Sequence, residues 1–244
     1  MLCINNPSTD VYFNLAAEEY LLNHFTEDVF MLWQNEPSVV IGRHQRVQSE
    51  VNLDYVNEKQ IKVARRHSGG GTVYHDLGNL NLTFIETSNN PDFGKYTRQM
   101  LEVLSLIGIH AEADERHGLT LDGLKISGSA QYLRKEKVMY HATLLYSANL
   151  ENLRFTLEAL PGGLELNTVK PSFNYVKSVK SAVTNISEHL PEPMSLQEFK
   201  KIIIKHYIEK NIQNSIYTLN KEDLEAITLL KNSKYATSNW NFSA

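Results

Sequence analysis

Three consecutive glycines, Gly69, Gly70 and Gly71, follow two arginines and lead into a β-prone run in the stretch RRHSGGGTVYHD, residues 65–76. The chain holds only 12 glycines in 244 residues. Glycine loses the most conformational freedom on folding, so three side by side mark a place that needs bare backbone. Between two strands, such a run lets the main chain approach a ligand and turn its N–H groups toward an anion or a carbonyl. Arg65 and Arg66 stand just before it and offer permanent, bidentate charge for phosphate or carboxylate. Together these residues describe a cradle for a nucleotide or an acyl phosphate. The alternative is a tight glycine turn with exposed arginines. A P-loop is excluded, because no Gly-Lys-Ser/Thr follows at the required spacing. The dinucleotide fingerprint is excluded too, because a strand rather than a helix is expected after the glycines.

Lys125 lies in LKISGSAQ, residues 124–131, a β-like run of small residues. Pointing inward, it would be a fixed cation able to hold a phosphate and a carbonyl oxygen. Pointing outward, it would be one more solvated lysine. His141, in YHATLL, residues 140–145, either orients a substrate or is a satisfied core histidine. The nine histidines form no HxxxH or HExxH pair, so no metal site built by the protein is expected. A magnesium ion carried in by ATP would need few protein ligands. No Ser-His-Asp arrangement can be assigned from spacing.

Behind these residues the chain reads as many short strands with a few amphipathic helices. A helix over 14–22 is expected, capped by Asn14, with Glu18 and Glu19 in its first turn. The runs 29–34 and 38–42, parted by Asn35-Glu36-Pro37, read as a hairpin. Strands over 61–66 and 72–76 flank the glycines, and 79–86 alternates with period two. A helix follows over 95–107 with Gly108 as its C-cap, then strands over 119–134 and 137–147. Residues 161–185 read as loop-rich, with a short strand near 179–183, and 161–180 as a lid that orders over a bound adenylate. A capping box at Ser195–Glu198 opens a helix to about Tyr207, and a last helix spans 221–234. The tight joins within 29–42 and 61–86 predict mostly antiparallel pairing. The expected fold is α/β in the α+β sense, a mixed, largely antiparallel sheet packed by helices, in one domain over 1–244.

The net charge of −4 argues against a general nucleic-acid binder. No apolar run approaches the length needed to span a bilayer, and no secretory signal is visible, so a cytoplasmic protein without membrane partners is expected. Cys3 is the single cysteine, which rules out a disulfide framework.

Taken in order, FNLAAEE (13–19), VVIGRHQ (39–45), RRHSGGGTVYHDLGNLN (65–81), LKISGSAQ, YHATLL and KSVKSAVTNISEHLP (177–191) resemble the lipoate–protein ligase A family, from about residue 10 to Phe242. The resemblance implies the fold of the class II aminoacyl-synthetase and biotin-ligase catalytic domains. It implies a ligase that joins lipoate and ATP, with magnesium, into lipoyl-AMP and passes the acyl group to a lysine of an acceptor lipoyl domain. Acceptors of this kind belong to the 2-oxoacid dehydrogenase complexes and the glycine cleavage H protein. Carried over residue by residue, Arg66, Gly71, Thr72, Val73 and Tyr74 fall on nucleotide-binding positions. Lys125 falls on the lysine that contacts both lipoyl carbonyl and phosphate. Gly70, His75, Asn79, His141 and Thr143 fall on the lipoate pocket, and Trp33, Val40 and Tyr74 are expected to wall the apolar tunnel.

Two departures from the family pattern stand out. His67 occupies a position that more often holds a small residue. The chain ends at Ala244, where the family continues into an accessory domain that takes part in adenylation, so slow adenylation or a separate accessory-domain polypeptide is expected. The runner-up is a lipoyltransferase using preformed lipoyl-AMP. A cysteine-dependent octanoyl- or lipoyl-transferase is disfavoured because Cys3 precedes the first helix. A biotin ligase fits the Arg-Arg-x-Ser-Gly-Gly-Gly run less well, and the intact Lys125 and glycine loop count against a non-catalytic binder.

Overall fold

The computed structural model describes residues 1–158 and 176–243. The chain opens with β1 (Leu2–Asn5), α1 (Val11–His24), β2 (Val29–Trp33) and β3 (Ser38–Ile41). Two short helices, α2 (Val47–Glu50) and α3 (Leu53–Glu58), lead to β4 (Lys62–Arg65), β5 (Val73–His75) and β6 (Asn79–Thr87). Helix α4 (Phe93–Ser105) precedes β7 (Glu112–Ala113), β8 (Leu119–Leu121), β9 (Leu124–Arg134) and β10 (Lys137–Leu145). Then come α5 (Leu150–Leu157), α6 (Leu196–Glu209), β11 (Ser215–Ile216), α7 (Lys221–Leu230) and α8 (Ser238–Phe242).

Eight strands form one sheet in the order β11-β1-β2-β6-β10-β9-β8-β7. It is parallel across β11, β1 and β2 and antiparallel from β2 onward. This is the mixed, largely antiparallel sheet expected from the sequence. Alternation along β6 explains how its two faces divide. Leu80, Leu82 and Phe84 join the core under α4 and α6, with Met100, Leu104, Phe199 and Ile203. The intervening Asn79, Asn81 and Thr83 are equally buried on the opposite face. On that face Trp33, Met31 and Ile85 pack with Leu15 and Leu21 of α1 and Ile227 of α7.

The smaller sheet corrects two expectations. Strands β2 and β3 do not form a hairpin; β3 lies in a second sheet of order β4-β3-β5. The turn between them leaves the plane because the Asn35 side chain is completely buried, bonded to Asn14 and His75. Strand β3 also pairs parallel with β4, not antiparallel. Residues 42–61 carry α2 and α3 and are long enough for a crossover. Asn14 is not a cap. Asp10 caps α1 by accepting from the Tyr12 N–H, while the Asn14 amide is spent inside on Asn6, Ser8 and Gln34. Glu18 and Glu19 therefore lie beyond the first turn.

Helix α4 and strands β8 to β10 follow the expected spans, and Gly108 takes φ +77° just past the helix. Both arms of the Ser195–Glu198 capping box are formed. The last expected helix ends at Leu230 and continues as a π-helical turn, Lys231–Tyr235. Near 179–183 the only regular pairing among the described residues is a bridge between Lys125 and Val183. Most of the expected lid, 161–175, lies outside the described residues.

Candidate active site

A cavity of about 900 Å³ lies between the α1 face of the large sheet and the small sheet. The glycine run is part of its wall. Gly70 adopts φ +88°, and a Cβ there would stand 2.9 Å from the Arg66 Nη2. A Cβ on Gly71 would meet the Ser178 Oγ at 3.2 Å, while Gly69 has open space around it. The loop rests on a fourth glycine, Gly42, where a Cβ would be 2.1 Å from the Gly70 carbonyl oxygen.

The two arginines behave differently from the sequence expectation, which gave both to a ligand. Arg65 is a structural hub. Its guanidinium donates to the carbonyls of Gly42, Arg43, Gln45, Trp240, Asn241 and Ser243. Nothing of its charge faces the cavity. Arg66 does line the cavity, but it holds the glycine loop from beneath, donating to the carbonyls of Gly69 and Gly71 at 2.6 and 2.7 Å and to Val40 at 3.1 Å. Burial lowers its pKa to about 10, so it stays charged at neutral pH. Its effect on a bound anion is chiefly that of a buried positive field.

A second layer locks the loop. The Thr72 N–H donates to the Ser178 Oγ at 2.8 Å and the Thr72 hydroxyl to the Gln45 Oε1 at 2.9 Å. Gln45 also donates to the Ser178 Oγ, and the Ser178 N–H donates to the Glu50 carboxylate. Gln45, Glu50 and Ser178 carry no periodic pattern that could have singled them out; their importance comes from three chain segments meeting.

Lys125 opens toward the solvent side of the cavity, with a quarter of its side chain exposed and its Nζ 3.5 Å from the Asp114 Oδ2. Burial pushes the Asp114 carboxyl up, but the Gly118 and Arg116 amides and the Lys125 charge outweigh it and leave it below the usual range. The Lys125 backbone is clamped by Ala182 and Thr184. Arg116, Lys177 and Lys180 line the same cavity.

Further in, His141 bonds through Nε2 to the Ser68 Oγ at 2.7 Å and through Nδ1 to the Glu18 Oε1 at 2.9 Å. Spacing gave no hint of this serine–histidine–glutamate row. Ser68 has no exposed surface and accepts from the Arg66 Nε, so the row supports the loop and offers no open nucleophile. Trp33, Val40, His75 and Thr143 line the interior. Tyr74 reaches the rim, but it packs in a third core with Val39, Ile41 and Val63. Asn79 does not line the cavity: it bonds Thr143 and the Asp76 N–H one row behind, and Asn81 stands in the wall instead.

Residues 10–208 match the lipoyl protein ligase A/B catalytic domain. The chain belongs to this family. It is 37% identical over 244 residues to lipoate–protein ligase 1 of Staphylococcus aureus, covering 98% of this chain and 72% of that protein. It is 35% identical over 228 residues to the human mitochondrial lipoyl amidotransferase, covering 91% of this chain and 59% of that protein. Among solved structures, the bi-partite lipoate protein ligase of Thermoplasma acidophilum, described with its E2 lipoyl domain, superposes with a TM-score of 0.81 at 25% identity, over 99% of this chain and 95% of that one. Of the residues that the family resemblance assigned, all but Asn79 meet at this one cavity. No helix among the described residues is long and apolar enough to cross a membrane.

Proposed function

We propose that this chain is a lipoate–protein ligase that activates lipoate with ATP to lipoyl-AMP and transfers the lipoyl group to a lysine of an acceptor lipoyl domain. The observation that carries the reading is the 37% identity to a lipoate–protein ligase over nearly the whole chain, with Lys125 and the glycine loop facing one deep, apolar cavity. In the first step the lipoate carboxylate attacks the α-phosphorus of ATP and pyrophosphate leaves. In the second, the acceptor amine attacks the acyl carbon and AMP leaves. Lys125 stabilises the negative charge that develops on the carbonyl and phosphate oxygens, and Arg66 adds a buried field. The cavity holds the acyl chain in place and excludes water. Gly71, Thr72, Val73 and Tyr74 form the nucleotide edge; Gly70, His75, His141 and Thr143 the lipoate side.

Among the described residues no group of three or more His, Cys, Asp or Glu is placed to hold a metal. Magnesium fits here as an ion carried on the nucleotide phosphates, where it offsets their charge with few protein ligands. We read the chain as a cytoplasmic enzyme acting on lipoyl domains of 2-oxoacid dehydrogenases or the glycine cleavage H protein.

The similarity to a lipoyl amidotransferase supports a second reading, in which the chain uses preformed lipoyl-AMP. The bi-partite Thermoplasma relative supports a variant in which a separate polypeptide assists adenylation. Two assays on the purified chain separate them. One supplies lipoate, ATP, magnesium and an apo lipoyl domain; the other supplies lipoyl-AMP and the same domain. Transfer in both at similar rates supports a self-sufficient ligase, and transfer only from lipoyl-AMP supports the second reading. Transfer in neither refutes the proposal.

A further inference from the structure

Trp33, Asn81, Thr143 and Gly128 stand directly opposite one another on β2, β6, β10 and β9. They form a row across one face of the sheet, and neighbouring strands are about 4.8 Å apart. Lys125 starts from β9. Asn81 is therefore two strand spacings inward, about 10 Å from the Gly128 strand. There the cavity is walled by Leu15, Trp33 and Val40, each 2% exposed. Asn81 is as deeply buried, yet neither its Nδ2 nor its Oδ1 has a hydrogen-bond partner among the described residues. A buried carboxamide left unpaired is costly, and such exceptions ask for a ligand.

A second polar group lines the same cavity. His75 lines the cavity with its ring edge-on to Trp33. A relay of amides decides which of its nitrogens carries the proton. The Ser8 N–H donates to the Asn6 Oδ1, which turns the Asn6 Nδ2 toward the Asn14 Oδ1. The Asn14 Nδ2 faces the Ser8 and Gln34 carbonyls, which only accept, and also the Asn35 Oδ1. The Asn35 Nδ2 is left to donate to the His75 Nδ1 at 3.0 Å. The proton of a neutral His75 thus resides on Nε2, which has no partner among the described residues. Burial, with Arg66 and His141 nearby, lowers the His75 pKa to about 3, so the ring stays neutral.

We propose that the Asn81 carboxamide and the His75 Nε2–H form a hydrogen-bonding socket at the inner end of the cavity, selecting an acyl chain whose far end carries sulfur over a plain alkyl chain of equal length. The proposal rests on the lipoate-ligase reading and names the part of the substrate that this end of the site recognises. The dithiolane sulfurs accept from both donors. An octanoyl tail has nothing to offer and leaves both groups buried and unpaired. Sulfur is a weak acceptor, so the preference is moderate in size.

Calorimetric titration of the full chain with lipoate and with octanoate tests this. The wild-type chain is expected to bind lipoate at least about tenfold more tightly. Asn81→Leu, similar in shape and without donors, is expected to bring the two acids within about threefold. His75→Phe is expected to shift the ratio the same way, and melting curves check that each variant folds. Nitrogen-15 spectra of the wild-type chain should show the His75 proton on Nε2 from about pH 5 to 8. Equal affinities in the wild-type chain, an unchanged ratio in both folded variants, or a proton on Nδ1 would overturn the socket. Binding of neither acid would overturn the ligase reading along with it, an outcome distinct from lipoate binding without selectivity.

Discussion

Lys125 and His75 line the same cavity but sit in opposite settings. Lys125 stands at the open end of the cavity with its Nζ 3.5 Å from the Asp114 Oδ2. Lys125→Ala should cut acyl transfer by a factor on the order of 10²–10³, the usual loss for one transition-state charge contact. Circular dichroism should show the fold unchanged; near-wild-type transfer by the folded variant would remove Lys125 from the chemistry. His75 is held neutral instead. Its folded pKa of about 3 lies below the ordinary 6.5. The unfolded chain therefore takes up the proton first as pH falls below about 6.5, and stability drops from there toward pH 3. At pH 5 the loss from this one group is about 2 kcal/mol. Urea unfolding of His75→Gln should show a shallower fall between pH 6.5 and pH 5 than the wild-type chain; parallel slopes would show that another group governs the acid limb.

At the scale of elements, the glycine loop separates what the sequence could say from what it could not. Three adjacent glycines announced a special backbone, but only the structure divides their roles. Gly70 needs a left-handed φ and lies against Arg66, whereas Gly69 has room for a side chain. Gly69→Ala should change the melting temperature little. Gly70→Val places a β-branched residue at positive φ and should cost about 1–3 kcal/mol. It should also displace Arg66 and weaken AMP binding, so stability falls together with affinity and the two losses are not separable at this position. Calorimetric titration with AMP and a melting curve check both; a tolerated valine would mean the loop can relax. The strands of β6, β9 and β10 and the capping box of α6 were legible because period-two alternation and an Ser-x-x-Glu box are local signals. The break between β2 and β3 was not, because it depends on Asn35 finding Asn14 and His75, partners distant in the chain. The cap of α1 was misplaced for a simpler reason. Asp10 and Asn14 are both cap-forming types, one turn apart, and tertiary bonds chose between them.

Over the whole molecule, Arg65 joins regions that composition could never pair. It ties the loop after β3 to α8 through six carbonyls, while the Trp240 indole and the Asn241 side chain bond its own backbone. Arg65→Met keeps the bulk and leaves those carbonyls without their donor. It should lower stability by about 3 kcal/mol, read by urea unfolding. A loss below about 0.5 kcal/mol would show that water replaces the guanidinium freely.

The same long reach bears on how the protein is made. Strand β1 pairs with β11, far along the chain, Leu2 opposite Ser215. Helix α1 buries Leu15 and Leu21 together with Ile227 and Tyr235, and Glu19 bonds Lys234 and Tyr235. A ribosome releases α1 early and these partners much later. Residues 24 and 235 are 211 positions apart, which at ordinary elongation rates is roughly 10–40 s of waiting. Through that interval the nascent chain carries an uncovered apolar helix face beside an incomplete sheet edge. Those surfaces are the ones a chaperone at the exit tunnel would be expected to shield until residue 235 emerges.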